Sequence, residues 1–286
     1  MTYTLVKNSM ENPQTRAAYN ALAGETFGLS FDGWYNSGHF DGSHIPYTLF
    51  DGDVAVANIS VNLMDVRIDG QIKKYIQLGT VMTKADCRGQ GLQKIIFNEI
   101  VKDFDGKYDC MFLFANRKVL GFYPKLGFEK QSYYDFIAEI PATDCEIKKL
   151  DMNNAEDVVL FKNLYNMGNP YSDFEVKNGF ALEMFYCGGP YADNVFYIPQ
   201  YNVAVVAEEE GDAIVCLDIL GEKTADAKEI MSAFGKEKLI MGFTPADTDG
   251  FAVKENTDDD TTLFVYKKGE NVFSGRQLLF PLIAHT

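Results

Sequence analysis

The chain has 286 residues, 47% of them hydrophobic and 14% aromatic, which is enough apolar material for two domain-sized cores. Its formal charge is −15; residues 1–140 are close to neutral and residues 141–286 carry nearly all of the excess. Because acidic surfaces repel nucleic acid and anionic membranes, we expect neither as a partner.

Targeting and metal-binding signals are absent from the sequence. There is no apolar run of about 18 residues, and the first residues lack a cationic start followed by an apolar stretch. The five cysteines are odd in number and widely spaced, with no Cys-x-x-Cys pair. We therefore expect a cytoplasmic protein with no structural disulfides and no metal site.

The first half of the chain predicts a helix, three antiparallel strands and a strand–helix–strand unit. The first ~30 residues are helical up to Gly28, and strands follow at 47–50, 54–64 and 72–83. A helix is predicted over 92–104, a buried strand over 108–115, a short helix ending at Gly127, and a strand over 128–140.

The second half repeats this order more weakly. It predicts a helix over 155–167, strands over 194–198, 201–208 and 213–220, a helix over 225–234 capped by Thr224, and a strand over 239–243. The acidic stretch 258–260 is interpreted as a solvated turn, because it lacks the spacing of a calcium loop. The similar order indicates a duplicated architecture, divided into domains 1–140 and 141–286.

The motif with the clearest chemistry is a strand-to-helix junction, Arg88-Gly89-Gln90-Gly91-Leu92-Gln93. Glycines allow a tight turn, and the unpaired amides at a helix start suit an anionic group such as a pyrophosphate. A Gly-x-Gly before a helix is also a common ordinary turn, so this motif alone is weak.

A second motif at a fixed distance strengthens the interpretation: Asn116 lies seven residues before Tyr123, within Phe122-Tyr-Pro-Lys-Leu-Gly-Phe128. Together, over about residues 1–140, the two motifs resemble the GNAT superfamily of acyl-CoA N-acyltransferases. The resemblance implies an α/β (α+β) fold with a mixed, mostly antiparallel central sheet flanked by helices. Gln93 and Val119 depart from the residues common in that family.

The resemblance also implies a role for each motif residue. Backbone groups of Val81, Met82 and Thr83 would pair with the pantetheine arm of acetyl-CoA, and Arg88 with the amides of residues 89–93 would hold the pyrophosphate. Asn116 would bind the pantetheine arm. Tyr123 would protonate the departing thiolate, a role that suits a phenol because its ordinary pKa is ~10.

The attacking amine must lose a proton, and the sequence offers four acceptors: Asp41, His39, His44 and Asp65. The sequence does not distinguish among them, and a lone loop histidine is usually just exposed. The absence of a Cys–His or Ser–His arrangement favours direct attack without a covalent enzyme intermediate.

The second half lacks Arg-x-x-Gly-x-Gly and has Asp218 and Asp226 at the equivalent junction, which argues against a second cofactor site. It resembles the degenerate second domain of tandem-GNAT proteins related to the enhanced-intracellular-survival acetyltransferases, and the chain stops before their third domain. That resemblance implies that the carboxylate of the last residue approaches the active site, and that an acidic aromatic wall faces the acceptor (Tyr186, Tyr191, Asp193, Phe196 and Tyr197). Core packing explains the same aromatics equally well.

The sequence therefore predicts an N-acetyltransferase that transfers acetyl from acetyl-CoA to a small-molecule amine or a protein lysine. The alternatives are a non-catalytic acyl-CoA-binding or regulatory module, and a structural protein whose glycines only form turns. A homo-oligomer is left open.

Overall fold

The computed structural model describes residues 3–143 and 145–286. Asp144, beside the predicted domain boundary, lies outside the described residues, as do Met1 and Thr2. The elements of the first half are β1 (Thr4–Lys7), α1 (Pro13–Phe27), α2 (Asp32–Asn36), β2 (His44–Asp51), β3 (Val54–Ile68), β4 (Gln71–Thr83), α3 (Leu92–Asp103), β5 (Cys110–Ala115), β6 (Phe128–Gln131) and β7 (Tyr134–Glu139).

The second half contributes β8 (Lys148–Lys149), α4 (Ala155–Met167), β9 (Phe174–Val176), α5 (Phe180–Cys187), β10 (Val195–Ile198), β11 (Val203–Glu210), β12 (Ala213–Gly221), α6 (Ala227–Ser232), β13 (Lys238–Met241), β14 (Ala252–Glu255) and β15 (Thr262–Tyr266). The predicted helices 92–104 and 155–167 are confirmed, because each has an apolar stripe to bury and a local start signal. The prediction of helix throughout the first ~30 residues is wrong at residues 4–7, which form β1 by pairing with β2. The elements that were not predicted are α2, β8, β9, α5, β14 and β15.

Local capping explains where several helices begin. The Asn12 side chain accepts hydrogen bonds from the Gln14 and Thr15 amides at the start of α1, and Gly28 ends that helix in a left-handed conformation. The prediction that Thr224 caps the helix after β12 is wrong. Asp226 is the cap and accepts from the Lys228 amide, because the Thr224 hydroxyl donates instead to the Tyr201 carbonyl.

The strands form two mixed, mostly antiparallel sheets, as the fold class predicted. The first sheet has the order β1-β2-β3-β4-β5-β15-β6, with β9 paired to β3, and the second has β14-β7-β13-β12-β11-β10-β8. Each contains one parallel pair that follows a crossover helix: β4 with β5 after α3, and β12 with β13 after α6. The two halves therefore share an architecture.

The two sheets exchange strands across the predicted boundary. β15, from the end of the chain, lies between β5 and β6 in the first sheet, and β7 lies between β13 and β14 in the second. The single strand predicted over 128–140 is therefore wrong: the segment is two strands in different sheets, with Phe128 and Phe136 in separate cores. The division near residue 140 stays a prediction.

The core lies in layers around the first sheet. α3 packs on one face through Leu92, Ile96 and Ile100, against Ile76 and Leu78 of β4. The opposite face carries an aromatic cluster that continues into the second sheet (Tyr75, Phe112, Phe174, Phe273 and Phe280). This second face brings the last residues of the chain to the centre of the first sheet.

Candidate active site

The parallel strands β4 and β5 separate towards their carboxyl ends. Their pairing runs from Tyr75↔Cys110 to Gln77↔Phe112 and stops there, although β4 continues to Thr83 and β5 to Ala115. A wedge therefore opens between the two strands beyond Gln77. Strand edges that lack a partner can bind an extended chain through backbone hydrogen bonds.

A bulge in β4 lies next to this wedge. The register between β3 and β4 shifts between Asn58 and Ser60, and Thr80 has a positive φ of 41°. The Asn58 side-chain amide donates to the Thr80 carbonyl at 2.9 Å, so the distortion is held by a buried hydrogen bond. The bulge changes the direction of the backbone peptide groups in the last residues of β4.

The turn after β4 leads into the start of α3, as the sequence predicted. Gly89 and Gly91 both have φ near +76°, at 77° and 76°, and Gly91 is the residue that begins α3. Within the described residues, none of the amides of residues 89–93 donates to a backbone or side-chain acceptor. Unpaired amides at a helix start can bind an anion, and we call the amides of residues 89–93 the cradle.

The side chains around the cradle tie it to β4. Gln93 is buried, and its amide nitrogen donates to the Met82 carbonyl at 2.5 Å and to the Thr83 hydroxyl at 2.8 Å. The Arg88 Nε donates to the Thr83 carbonyl at 3.2 Å. Gln93 is one of the two residues that depart from the motifs of the resemblance. Its side chain links the start of α3 to the end of β4. The Met82 carbonyl therefore already accepts a hydrogen bond from Gln93. Its neighbour Val81 is half-buried.

Asn116 and Tyr123 follow β5 on the other side of the wedge. Asn116 is exposed, and its side-chain oxygen accepts from the Lys118 amide at 3.1 Å, which shapes the turn after β5. Tyr123 starts a short 3-10 helix that Gly127 ends with a φ of 95°. Its ring packs against Phe128 and Phe264, and burial raises the pKa of its hydroxyl to about 12.

The last residues of the sequence lie against the wedge. A Cβ at Gly79 would come within 2.7 Å of the Thr286 carbonyl carbon. With the Gln77 amide oriented to satisfy both of its groups, its nitrogen donates to the Ala284 carbonyl at 2.8 Å and its oxygen accepts from the Thr286 amide at 3.2 Å. The ring of His285 stacks on Phe114 of β5 at 3.8 Å.

The terminal segment therefore lies at the opening of the sheet, and a role for a carboxylate there stays a prediction. His285 is half-buried, and desolvation of its ring lowers the pKa of its imidazole to about 3. The Tyr186 hydroxyl, near the end of α5, donates to the His285 carbonyl at 2.6 Å, so α5 helps to hold the terminal segment in place.

A row of buried polar side chains crosses the same face of the first sheet, and the sequence analysis missed it. On β3 the row consists of Asn58, Ser60 and Asn62, at every second position, and apolar residues lie between them. That period of two was the available signal, because it places all three on one face of the sheet. Asn62 donates to the Thr286 hydroxyl at 2.9 Å, so the row ends at the terminal segment.

Of the four predicted proton acceptors, His44 is the one linked to this row. Its Nδ1 lies 2.7 Å from the Asn62 side-chain oxygen and therefore donates to it, and its Nε2 lies 3.0 Å from the Tyr19 hydroxyl. Burial lowers the pKa of His44 to about 4. The expectation that His44 is an exposed loop residue is wrong: it begins β2 and is buried.

The other three candidates lie apart from the wedge. Asp65 forms an ion pair with Lys74 at 2.6 Å, near the far end of β3 and β4. Asp41 is exposed and accepts from the Ser43 amide, and the ring of His39 packs edge-on against Phe180.

The proposed acidic aromatic wall is dispersed. Tyr186 and Tyr191 stack on each other, whereas Phe196 contacts Phe234 and the exposed Asp193 pairs with Lys149. In the part of the chain that the structure describes, no helix is long and apolar enough to cross a membrane, and no cluster of three or more His, Cys, Asp or Glu could hold a metal ion.

Solved structures with similar folds cover nearly the whole chain. A protein of unknown function from Enterococcus faecalis, described as a probable N-acyltransferase, aligns with a TM-score of 0.63 and 13% identity over 93% of this chain and 72% of its own. A GCN5-related N-acetyltransferase from Kribbella flavida aligns with a TM-score of 0.55 and 14% identity over 92% of this chain and 71% of its own.

The chain has the GNAT fold. Eis1 from Mycobacterium abscessus also aligns, with a TM-score of 0.53 and 12% identity over 92% of this chain and 73% of its own, which agrees with a tandem arrangement of two GNAT-like units. No protein-family model matches the sequence, and no curated protein matches it. The assignment to the GNAT fold therefore rests on the likeness of the architecture to these solved structures.

Proposed function

We propose that this protein is an N-acetyltransferase that moves an acetyl group from acetyl-CoA to a primary amine. The observation that carries the proposal is the combination of the wedge between β4 and β5 with the free amides of residues 89–93 beside it. A polyanionic cosubstrate with an extended arm fits such a site, because the cradle takes an anion and the strand edges take a chain.

Each predicted residue has a role in the proposal. The backbone of Val81 and Thr83 faces the pantetheine arm, together with Met82 between them. Arg88 and the amides of Gly89, Gln90, Gly91, Leu92 and Gln93 bind the pyrophosphate. Asn116 binds the arm from the β5 side of the wedge. Met82 and Gln93 contribute chiefly by positioning, because the Met82 carbonyl is bonded to the Gln93 side chain.

Tyr123 acts as the general acid. The amine nitrogen attacks the thioester carbonyl carbon, the carbon–sulfur bond breaks, and the Tyr123 hydroxyl gives its proton to the departing thiolate. Because burial raises the pKa of Tyr123 to about 12, the phenol keeps this proton throughout the neutral range. The amine proton leaves to solvent or to a group of the terminal segment, since both ring nitrogens of His44 already have hydrogen-bond partners.

The acceptor is a small-molecule amine or a protein lysine. The chain's negative charge favours a cationic acceptor through long-range attraction. The alternative function is a non-catalytic acyl-CoA-binding or regulatory module, which would use the same cradle without Tyr123.

The test measures thiol release from acetyl-CoA with a panel of primary amines, together with calorimetric titration of coenzyme A. Turnover with at least one amine supports the enzyme. Binding of coenzyme A without turnover on any amine supports the module, and no binding at all rejects both.

A further inference from the structure

A small cavity lies between β12, α5 and the segment that leads to Ala284, outside the site described above. Its volume is about 30 Å³, which is room for one or two water-sized occupants. Three carboxylic side chains line it, Glu175, Glu183 and Asp218, with the polar side chains of Tyr165 and Asn169.

The three carboxylates differ in their partners. Glu175 is compensated, because one of its oxygens accepts from Arg67 at 2.9 Å and the other from Lys177 at 2.9 Å. Asp218 accepts hydrogen bonds from the Asn169 side chain at 2.5 Å and from the Ile219 amide at 2.9 Å, both on one oxygen. Both partners of Asp218 are neutral, so its charge is uncompensated.

The third carboxylate, Glu183, is buried. Its side chain is 5% exposed, and its buried Oε1 makes no hydrogen bond with any described residue. Glu183 and Asp218 act on each other through charge rather than through a hydrogen bond. Burial raises the pKa of both groups, to about 7 for Asp218, because each would be charged without a counter-ion.

A buried Glu183 and a half-buried Asp218 that both lack a counter-ion require neutralisation by protons or by a cation. The cavity has no free cationic donor among the described residues: the two basic side chains nearby are already bound to Glu175, and the hydroxyl of Tyr165 and the amide of Asn169 already donate to other acceptors. An ammonium ion supplies one positive charge and four N–H donors in the volume of one water molecule. A divalent metal ion is a poor match, because the described residues hold no cluster suited to one.

We propose that this cavity is a binding site for a small monovalent cation of the ammonium type, held by Glu183 and Asp218. Its occupant neutralises a charge beside Ala284 of the terminal segment. Ammonium and potassium share the charge and size that the cavity requires, and the experiment separates them.

The test is the melting temperature of the full chain at pH 8, in chloride salts of ammonium, potassium, sodium and choline at equal ionic strength. We expect ammonium to raise the melting temperature by several degrees, on the order of 5 °C, over choline. An equal rise with potassium supports a site that selects by charge and size, and a smaller rise supports selection by N–H donors. Equal melting temperatures in all four salts overturn the proposal.

Glu183→Gln removes the charge with little change in shape, and the exposed Glu222→Gln is the matched control. We expect Glu183→Gln to lose the ammonium-specific rise and Glu222→Gln to keep it. If Glu183→Gln does not fold, ¹⁵N NMR of ¹⁵N-labelled ammonium titrated with wild-type protein reports binding directly. Persistence of the rise in folded Glu183→Gln, or no broadening of the ammonium signal, overturns the proposal.

Discussion

Thr286 lies against Gly79, where a side chain on β4 would overlap the backbone of the terminal residue. A Cβ at position 79 would meet the Thr286 hydroxyl at 2.6 Å and its carbonyl carbon at 2.7 Å, closer than two such atoms can approach. The φ of Gly79 is not in the left-handed region, so its backbone conformation does not require glycine. The glycine is needed because it lets Thr286 approach β4 closely. The centre of β4 and the end of the sequence form one structural unit.

Gly79→Ala should destabilise the full chain by about 1–3 kcal/mol, because overpacking forces the terminal segment to shift. In a chain that lacks Thr286 the same substitution should cost much less, since the overlap is gone. Urea unfolding of the four members of this cycle measures the coupling. Gly33→Ala is the control, because no atom lies within 4 Å of a Cβ there. Equal costs in both chains would show that Gly79 and Thr286 do not interact.

Removing Ala284, His285 and Thr286 should lower kcat more than it changes the affinity for coenzyme A. The segment lies between Gln77 and Phe114 at the wedge, whereas the anion cradle is formed by residues 89–93. Steady-state kinetics and calorimetry of the truncated chain separate the two effects. Unchanged turnover would exclude the segment, and any terminal carboxylate on it, from catalysis.

Tyr123→Phe should lower kcat by about 10²–10⁴-fold with coenzyme A affinity unchanged, because only the proton donor is removed. Tyr266→Phe is the matched control, since Tyr266 packs in the same aromatic cluster through Phe128. Equal rates for Tyr123→Phe and wild type under conditions limited by chemistry would reject the general-acid role.

The pH dependence of Tyr123 follows from its burial. A raised pKa of about 12 means that the required protonated form persists through the neutral and moderately alkaline range. The rate should therefore rise from pH 7 towards pH 10 as an alkylamine acceptor, with a pKa of ~10.4, loses its proton. A fall in kcat between pH 8 and pH 10 in a stable protein would contradict this assignment.

Gly91→Ala should weaken coenzyme A binding by at least about tenfold, because the left-handed backbone at the start of α3 is strained by a side chain and the cradle is distorted. Gly106→Ala is the matched control: its φ of 69° imposes similar strain and no atom lies within 4 Å. Calorimetry should show normal affinity for Gly106→Ala. If both variants bind coenzyme A as wild type does, the amides of the turn are not the pyrophosphate site.

His44 should make stability depend on pH. Its pKa of about 4 in the folded chain lies below the ordinary value of 6.5 for histidine, so between these values the unfolded chain binds the extra proton. Its contribution is complete above pH 6.5 and is lost as the pH falls towards 4, at about 1.4 kcal/mol per pH unit. Asp218, with its raised pKa, has the opposite sign in this range.

Comparing His44→Gln and His39→Gln with wild type separates the contribution of His44 from those of the other titrating groups. The free energy of unfolding of wild type minus that of His44→Gln should fall between pH 6.5 and pH 5, whereas the same difference for the less buried His39→Gln should stay much flatter. Chemical denaturation at several pH values measures both. Parallel pH profiles for wild type and His44→Gln would show that His44 is not buried in neutral form.

Local sequence signals were enough to predict most of the helices and strands and the glycine turn that forms the cradle. The apolar period of α3, the paired glycines at 89 and 91, and the stop at Gly127 each act within a few residues, so they can be recognised without knowledge of the fold. The order of strands, helix and strand in each half followed from the same signals. The polar row on β3 (Asn58, Ser60 and Asn62) is also visible in the sequence as a period of two. Its link to the terminal segment and to His44 can be recognised only from the hydrogen bonds of Asn62 in the structure.

The tertiary structure alone decided which strands pair and what reaches the wedge. β15 enters the first sheet, β7 enters the second, and Asn62 bonds with Thr286 across 224 positions of the sequence. Such pairings depend on how two sheets bury their edges and faces against each other, and no local pattern encodes that choice. The sequence by itself therefore indicated most of the helices and strands and the glycine turn at residues 89–91, and long-range packing decided which strands and terminal residues lie beside that turn.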